Sequence, residues 1–280
     1  MPRYPELKGK VALITGAGRT AGLGEGIARR LAAEGCRVVV TDIGHVRGAE
    51  MPASAVGTNE ALAQVAAAIV ARGGDCTAIT LDVLEESQVQ AAIADVVARF
   101  GGIDILVNNA GIGYLMKPIV EMDAAEWDAV LGVNLRGAFL CIKHAAKAMI
   151  AQGRGGRIVN IASQAAKSAF PLASAYCSSK HGLVGLTRVG AAELGQHGIT
   201  VNAICPNHVT TGLGAWQNEY FAKAQGISVE DYLSAMRKRI PLGRPGLPED
   251  TAAACAYLCS DDAQYVTGEA MNVSGGEENH

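Results

Sequence analysis

Short apolar runs alternate with longer helical stretches along most of this chain. The runs are continuously apolar rather than alternating, which is typical of strands covered on both faces in a parallel sheet. They predict strands over residues 11–15, 37–42, 76–82, 103–109, 156–163, 199–205 and 269–275. Helices are predicted over residues 23–34, 58–73, 85–100, 123–152, 174–196 and 249–260. Because parallel strands joined through a helix make right-handed crossovers, the pattern predicts an α/β fold with a doubly wound parallel sheet.

Two segments interrupt this alternation. Residues 44–57 form a long, weakly patterned connection after the second predicted strand, and residues 207–245 separate the sixth strand from the last helix. Loops of this length inside a compact domain are commonly functional or disordered. The second segment contains Trp216, Tyr220 and Phe221, so we expect it to be a lid or pocket wall that closes on a substrate.

Length, charge and cysteine spacing narrow the possible functions. With no repeat, charge block or Pro/Ser-rich linker, residues 1–280 are expected to form a single domain. The formal net charge of −3 disfavours nucleic acid as a partner, because nucleic-acid sites carry a basic stripe. The sequence contains no run of eighteen apolar residues, so no membrane span is predicted. The N-terminus lacks an apolar signal core, and a cytoplasmic location is therefore expected. The seven cysteines include no CxxC pair, which favours reduced, buried thiols over a metal site or disulfides.

A glycine-rich turn follows the first predicted strand and opens the first predicted helix. Gly16 permits a tight turn, and Gly22 and Gly24 allow a pyrophosphate to approach the backbone at a helix N-terminus. A plain connecting loop is the alternative. The placement directly between strand and helix favours dinucleotide binding.

Residues around the second and third strands bear on which dinucleotide binds. Asp42 ends the second strand, where a carboxylate can accept hydrogen bonds from the adenosine ribose and repel a 2′-phosphate. Arg19 in the glycine turn is the opposing signal, because a cation there can pair with a 2′-phosphate. The sequence favours NAD over NADP on this comparison. Asp82 and Val83 end the third strand, where Asp82 is expected either to hold the adenine edge or to cap a helix.

Three residues indicate proton-transfer chemistry. Tyr176 and Lys180 stand four apart, so on a helix they project from one face. A lysine cation close by favours the phenolate and lowers the phenol pKa from about 10, so Tyr176 is expected to exchange a proton near neutral pH. Ser163 ends an apolar strand and can donate a hydrogen bond to a substrate oxygen. Solvated helix surfaces also carry tyrosine-lysine pairs at this spacing, so the rest of the chain decides the interpretation.

Together these segments resemble the short-chain dehydrogenase/reductase family in its single-domain form. The matching features are the glycine turn, Asp42, LDV at 81–83, NNAG at 108–111, VNLRG around Asn134, Ser163, YCSSK at 176–180 and a proline-led turn at 206–211. They cover nearly the whole chain. The resemblance implies a Rossmann-type sheet of seven parallel strands with helices on both faces. It also implies an oxidoreductase that transfers a hydride between a nicotinamide cofactor and a secondary alcohol or ketone.

The resemblance assigns catalytic roles at the matching positions. Tyr176 is the expected general acid/base, Lys180 lowers its pKa and binds the nicotinamide ribose, and Ser163 polarises the substrate oxygen. Asn134, inside the long predicted helix, is expected to hold a water in a proton relay through Lys180. Within this family, enoyl reductases have more residues between the tyrosine and the lysine than the four-residue spacing seen here. The resemblance therefore favours oxidation of an alcohol or reduction of a carbonyl group.

The resemblance also implies a set of cofactor contacts, and no metal. Asn109 is expected to contact the cofactor near its adenosine, whereas Asn108 is expected to stabilise the sheet. Val209 and Thr211 are expected to meet the nicotinamide carboxamide. The full set is Gly16, Arg19, Gly22, Leu23, Gly24, Asp42, Asp82, Val83, Asn109, Ala110, Gly111, Tyr176, Lys180, Pro206, Val209 and Thr211.

The chain departs from the family pattern at two turns. The usual TGxxxGxG becomes TGAGRTAGLG, with two extra residues, and the parts played by Gly18, Arg19 and Thr20 stay open. The usual proline-glycine after the sixth strand is Pro206-Asn207. Because asparagine tolerates left-handed backbone, we expect that turn to survive with little strain.

Substrate and assembly are the least constrained features. Ligands of open α/β sheets bind at the carboxyl ends of the strands, which makes the candidate substrate residues Tyr114, Gln164, Phe170, His208 and Trp216. Their polar groups and aromatic faces favour a small polar secondary alcohol, a sugar or polyol. The alternatives are an NADP-dependent ketone reductase acting on an apolar or lipid-like carbonyl, and a non-catalytic dinucleotide-binding regulator. The surplus of small and apolar residues in helix 174–196, with the resemblance, predicts a homo-oligomer, a homotetramer or dimer.

Overall fold

Seven parallel strands form the centre of the computed structural model, which describes residues 2–47, 56–113 and 115–280. The strands are β1 (Val11–Ile14), β2 (Arg37–Asp42), β3 (Asp75–Thr80), β4 (Ile105–Asn108), β5 (Gly156–Ile161), β6 (Ile199–Pro206) and β7 (Ala270–Val273). Their order is β3-β2-β1-β4-β5-β6-β7, and every neighbouring pair is parallel. The predicted Rossmann-type sheet is confirmed, with strand ends that differ from the prediction by at most two residues.

Helices cover both faces of the sheet. They are α1 (Leu23–Ala33), α2 (Asn59–Val70), α3 (Glu86–Phe100), α4 (Ala124–Leu131), α5 (Ala138–Gln152), α6 (Ser174–Leu194), α7 (Gly212–Gln225), α8 (Val229–Arg239) and α9 (Pro248–Cys259). Apolar residues of α1, α2 and α9 pack on one face, and those of α3, α5 and α6 pack on the other. Ala12 and Leu13 of β1 belong to opposite cores, which explains why the strands read as continuous apolar runs.

The long predicted helix over 123–152 is interrupted by a π-turn, Gly132–Gly137, that joins α4 to α5. The sequence pattern did not reveal this turn, because one wider turn inside a half-buried helix shifts the apolar periodicity only locally. π-turns are rare and occur frequently at functional sites. This one carries Asn134, whose side chain is buried.

The segment 207–245 was predicted as a long loop, and it instead contains α7 and α8. Side chains of Thr211 and Ser228 cap the two helices by accepting hydrogen bonds from backbone N–H groups at 3.2 and 3.1 Å. The rings of Phe221 and Tyr232 stack with centroids 6.3 Å apart and join the helices. Few apolar positions recur at helical spacing here, so the pattern indicated a loop.

Other expectations concern the connection after β2 and the cysteines. In segment 44–57, residues 48–55 lie outside the described residues, and Gly44 pairs with Thr58 in an isolated bridge.

The cysteines are free thiols, buried except for the half-buried Cys76. Burial raises the pKa of Cys76 and Cys141 to about 12, so both thiols stay protonated. Within the described ranges, no helix is long and apolar enough to cross a membrane.

Candidate functional site

Two neighbouring cavities open near the carboxyl ends of the central strands. The first has a volume of about 580 Å³ and is bordered by the glycine turn, the start of α2 and the start of α7; we call it the turn cavity. The second has a volume of about 560 Å³ and is bordered by residues that follow β5 and β6 and by α7 and α8; we call it the lid cavity. Tyr176 lines both cavities, so they meet at its side chain.

The glycine turn lies tightly against the end of β4. Gly16 has a φ of +65°, and a Cβ built there would lie only 2.5 Å from Ala110 Cα, so no other residue fits. Asn109 Nδ2 donates hydrogen bonds to the carbonyl oxygens of Thr15 (2.9 Å) and Gly16 (2.8 Å). The amide nitrogen of Asn109 therefore positions the turn.

The two extra residues of the turn are accommodated by a contact with β2. Gly18 N donates to Asp42 Oδ2 at 2.8 Å, so the part played by Gly18 is to tie the turn to the end of β2. Ala21 adopts a left-handed φ of +57°, which costs a non-glycine residue roughly 1 kcal/mol, and its N–H donates to Glu25 Oε2 at 2.5 Å. The extension thus folds back onto Asp42, and Arg19 and Thr20 remain at the cavity wall.

Asp42 lies in a small extension of the turn cavity that it shares with Arg19, Val83 and Ala110. Burial raises the pKa of the Asp42 carboxyl, while hydrogen bonds from Gly18 and Ile43 and the charge of Arg19 act in the opposite direction. A carboxyl and a guanidinium therefore occupy the end of the cavity where the sequence predicts the adenosine ribose.

Asp82 makes its hydrogen bonds within the protein. Its Oδ1 accepts from Leu84 N at 2.9 Å, and its other oxygen pairs with the Arg47 guanidinium, which also binds Glu85 at 2.8 Å. The bond from Leu84 N closes a turn before α3, which has no side-chain cap at its N-terminus, so Asp82 is not the expected helix cap. Asp82 also borders the cavity extension, and its hold on the adenine edge stays a prediction. Val83 borders the cavity extension.

Ser163, Tyr176 and Lys180 converge between the two cavities. The Ser163 hydroxyl lies close enough to the Tyr176 phenol to act on its pKa, and both residues line the lid cavity. Lys180 lies one helical turn beyond Tyr176 on α6, as predicted, and its Nζ is 5.7 Å from the centroid of the tyrosine ring. The lysine is 4% exposed, and Nζ donates to the carbonyl oxygen of Ile161 at 2.8 Å.

The pKa of Tyr176 differs in direction from the sequence-based expectation. Burial raises the phenol pKa, and the neighbouring Ser163 hydroxyl only opposes this effect. Burial also lowers the pKa of Lys180 to about 8. The expectation considered the helical spacing of the pair and omitted desolvation, which disfavours the charged form of both groups.

Asn134 projects from the π-turn toward the end of the NNAG segment. Its Oδ1 accepts from Ile112 N at 2.8 Å, and its Nδ2 donates to Ile112 O at 2.9 Å and to Ser179 Oγ at 3.0 Å. A Cβ built on Gly111 would lie 3.2 Å from Asn134 Oδ1 and 3.5 Å from Lys180 Nζ. The absent side chain of Gly111 therefore leaves a space that both polar groups border. Asn108, as expected, stabilises the sheet by donating to Asn160 Oδ1 at 2.8 Å.

The turn cavity collects most of the residues expected to contact a dinucleotide. Those on its wall are Gly16, Arg19, Gly22, Leu23, Gly24, Asn109, Gly111, Tyr176, Lys180 and Thr211, whereas Asp42, Asp82, Val83 and Ala110 line the extension. Pro206 and Val209 line the lid cavity instead. Because α1 begins at this wall, the N–H groups of its first turn suit a phosphate. A Cβ at Gly24 would lie 2.7 Å from Ala17 Cα, so the close packing of α1 on the glycine turn requires a glycine there. These residues fit a dinucleotide.

The expected substrate residues divide between the two cavities. Gln164, Phe170 and His208 line the lid cavity together with Ser163 and Tyr176. Trp216 lines the turn cavity, so its assignment to the substrate is corrected. Successive helical residues point about 100° apart, which sends Trp216 and Gln217 of α7 into different cavities. Tyr114 lies outside the described residues.

Sequence reasoning missed polar residues on the lid-cavity wall and part of the turn-cavity wall. The former are Gln225, Tyr232, Arg239 and Glu277, and the latter are Val56, Gly57, Thr58, Ala61 and Glu219. The only available signal was the position of most of them in the two segments that break the strand-helix rhythm. Glu277 lies outside both segments, so no pattern pointed to it.

Comparison with known proteins agrees with this geometry. The family model described as enoyl-(acyl carrier protein) reductase matches residues 16–278. The chain is 37% identical over 270 residues to galactitol 2-dehydrogenase of Agrobacterium fabrum, covering 96% of each protein. It is 40% identical over 272 residues to D-threitol dehydrogenase of Mycolicibacterium smegmatis, covering 96% of this chain and 93% of that protein. A crystal structure of actinorhodin polyketide ketoreductase with NADPH matches with a TM-score of 0.87 and 38% identity, covering 97% of this chain and 98% of that one.

Proposed function

Because this chain belongs to the short-chain dehydrogenase/reductase family and is an oxidoreductase of alcohol and carbonyl groups, we propose that it oxidises a secondary alcohol of a small polyol or sugar with NAD. The observation that carries the proposal is the position of Tyr176, which lines both cavities and shares the lid cavity with Ser163. From there its phenol can meet an alcohol in the lid cavity beside a nicotinamide in the turn cavity.

A nicotinamide dinucleotide supplies the hydride acceptor when bound, and the chain supplies binding, orientation and proton transfer. The Tyr176 oxygen, as phenolate, takes the hydroxyl proton of the alcohol. The Ser163 hydroxyl donates to the same substrate oxygen and stabilises its developing negative charge. Lys180 Nζ, held by the Ile161 carbonyl, is a buried cation at neutral pH because its pKa is about 8, and its charge favours the phenolate.

The proton leaves Tyr176 by a route that we place at Gly111. The space left by this glycine is bordered by Lys180 Nζ and Asn134 Oδ1. A water there would accept from the lysine and donate to the asparagine oxygen, which retains a second lone pair beside its bond to Ile112 N. Asn134 thus acts in the relay that the resemblance implies.

The choice of NAD is supported by Asp42 at the adenosine end of the turn cavity. Its carboxylate oxygens each accept one backbone hydrogen bond and keep further lone pairs for ribose hydroxyls. A 2′-phosphate at the same place would meet a negative charge.

A second candidate, an NADP-dependent ketone reductase, is favoured by Arg19. Its guanidinium lies close enough to lower the Asp42 pKa, and the ketoreductase crystal structure that matches this fold contains NADPH. Reduction of a carbon–carbon double bond is disfavoured by the short spacing between Tyr176 and Lys180. A non-catalytic role is disfavoured because Ser163 and Asn134 accompany that pair.

The substrate class is tested by an alcohol panel. Galactitol, threitol, cyclohexanol and a long-chain secondary alcohol are each offered with NAD and with NADP, and cofactor reduction is followed by fluorescence. We expect kcat/KM for the best polyol to exceed that for either apolar alcohol by about tenfold or more, equivalent to about 1.4 kcal/mol of selective binding. Turnover of the apolar alcohols alone, with NADP, would instead support the second candidate.

We also propose that the protein is a homo-oligomer that pairs through α5 and α6. Phe139 on α5 and Val189 on α6 are 46% and 54% exposed, and the space beside Gly185 is open. Covering such apolar side chains is worth about 1 kcal/mol or more each. Light scattering at micromolar concentration should give a dimer or tetramer mass, and Val189→Asp should lower it. A monomeric parent would refute the pairing.

A further inference from the structure

The wall of the lid cavity includes a carboxylate that the reaction described above does not use. Glu277 follows β7, and it meets Arg239 from the end of α8 and Asn207 from the turn after β6. Glu277 Oε1 accepts from Arg239 Nε at 3.2 Å, and Oε2 accepts from Asn207 Nδ2 at 3.1 Å. The Glu277 side chain is only 14% exposed, although it borders the cavity.

Asn207 explains how this carboxylate is held. Within the described residues, positive φ at non-glycine positions is confined to Ala21 and Leu172, so Asn207 carries no left-handed strain and its tolerance of that backbone is not used. Its side chain is used instead, because Nδ2 also donates to the carbonyl oxygen of Ser274 at 2.8 Å. The residue that replaces the family's usual glycine thus ties the end of β6 to the segment that carries Glu277.

The charges around Glu277 are balanced. The ion pair with Arg239 sums to zero, and burial lowers the pKa of His208, so this imidazole is neutral at pH 7. Burial also raises the pKa of Tyr232, so its phenol is neutral too. A wall of this kind does not select an anion. Its carboxylate keeps lone pairs for hydroxyl donors, as a carboxylate has about four acceptor sites and two are used.

We propose that Glu277 selects the substrate by accepting hydrogen bonds from hydroxyl groups distal to the reacting carbon of a neutral polyhydroxylated chain. The inference rests on the proposed oxidation of a polyol and adds the residue that recognises it. With the carbinol at Ser163 and Tyr176, the rest of the chain extends through the lid cavity toward Glu277. Arg239 and Asn207 are positioning residues, since they orient the carboxylate through the bonds described.

The test measures Glu277→Gln with galactitol and with cyclohexanol, which has no distal hydroxyl, using NAD. The amide keeps the shape of the side chain and an acceptor for Asn207, but it loses the charge. We expect KM for galactitol to rise about tenfold or more, because a hydrogen bond to a charged group contributes about 1.5–3 kcal/mol. We expect kcat for galactitol and kcat/KM for cyclohexanol to change by less than about threefold, which is no more than the effect of one neutral hydrogen bond.

Two further variants separate recognition from structure. Glu230→Gln removes the carboxylate of an exposed ion pair with Arg237 on α8 and should change neither alcohol's kinetics. Arg239→Gln breaks the ion pair but keeps the Glu277 carboxylate, so its effect on galactitol KM should be smaller than that of Glu277→Gln. Thermal unfolding and NADH binding are measured for every variant, and both should stay close to the parent.

The possible outcomes distinguish failure of the role inferred for Glu277 from failure of the proposed polyol oxidation. Equal losses with galactitol and cyclohexanol, or equal effects of Arg239→Gln and Glu277→Gln, would make the pair structural and overturn the inference. An unchanged KM for galactitol would overturn it as well, while polyol oxidation by the parent would leave the proposed function standing. A parent that oxidises cyclohexanol and no polyol would refute both.

Discussion

Replacing Tyr176 by phenylalanine is expected to lower kcat by about 10²- to 10⁴-fold, the usual contribution of general acid–base catalysis. Phenylalanine keeps the packed ring and removes the hydroxyl at the junction of the two cavities, beside Ser163. The fold and the binding of NADH should persist. The measurement is steady-state oxidation of the best polyol, together with NADH titration and thermal unfolding of the variant.

Tyr265→Phe is the matched control, because this tyrosine is 99% exposed and the same atom is removed. It should behave as the parent. Activity of Tyr176→Phe within about tenfold of the parent would fall short of the range for acid–base catalysis and contradict the assignment.

The same variant has an expected signature in the pH profile. Oxidation requires the phenolate, and burial raises the pKa of Tyr176, so the parent's rate of alcohol oxidation should rise with pH as the phenol loses its proton. Residual activity of Tyr176→Phe should lack that limb.

Changing Asp42 should produce the largest change in cofactor choice. The parent is expected to favour NAD over NADP by about 100-fold in kcat/KM, corresponding to about 3 kcal/mol from charged hydrogen bonds to the ribose and repulsion of the 2′-phosphate. Asp42→Asn removes the charge and retains an acceptor for Gly18 N, so the ratio should fall toward unity. Dissociation constants of NADH and NADPH measured side by side provide the check.

Asp42→Ala should narrow the same ratio but also leave Gly18 N without its acceptor, so a lower unfolding temperature is expected for this variant than for Asp42→Asn. Asp75→Asn, at the exposed start of β3, is the control and should leave cofactor choice unchanged. A parent that prefers NADP would show that Arg19 dominates at this end of the cavity.

Local pattern predicted the part of the site that lies within single elements. Tyr176 and Lys180 share a helical face because four residues make about one turn, and Asn108 stays in the sheet because it ends a buried strand. The glycine turn was recognisable because its glycines directly follow the first strand and open the first helix. Each of these features depends on neighbours in sequence, so periodicity and residue type are sufficient to indicate it.

Sequence patterns gave least where distant segments meet. They did not indicate the pairing of Asp82 with Arg47, 35 residues earlier, and the assignment of Trp216 to the substrate is corrected because α7 places it at the turn cavity. The direction of the Tyr176 pKa was wrong for the same reason, since desolvation depends on everything packed around the phenol.

The sequence by itself determined the α/β class, the succession of strands and helices, the glycine turn and the helical spacing of Tyr176 and Lys180, because apolar periodicity, glycine placement and helical geometry are local properties. The tertiary structure alone decided that a π-turn presents Asn134 and that α7 and α8 wall the lid cavity. It alone brought Glu277 to Asn207, 70 residues away. Burial and through-space contact are set by the packing of the whole chain, and no local pattern of residues encodes them.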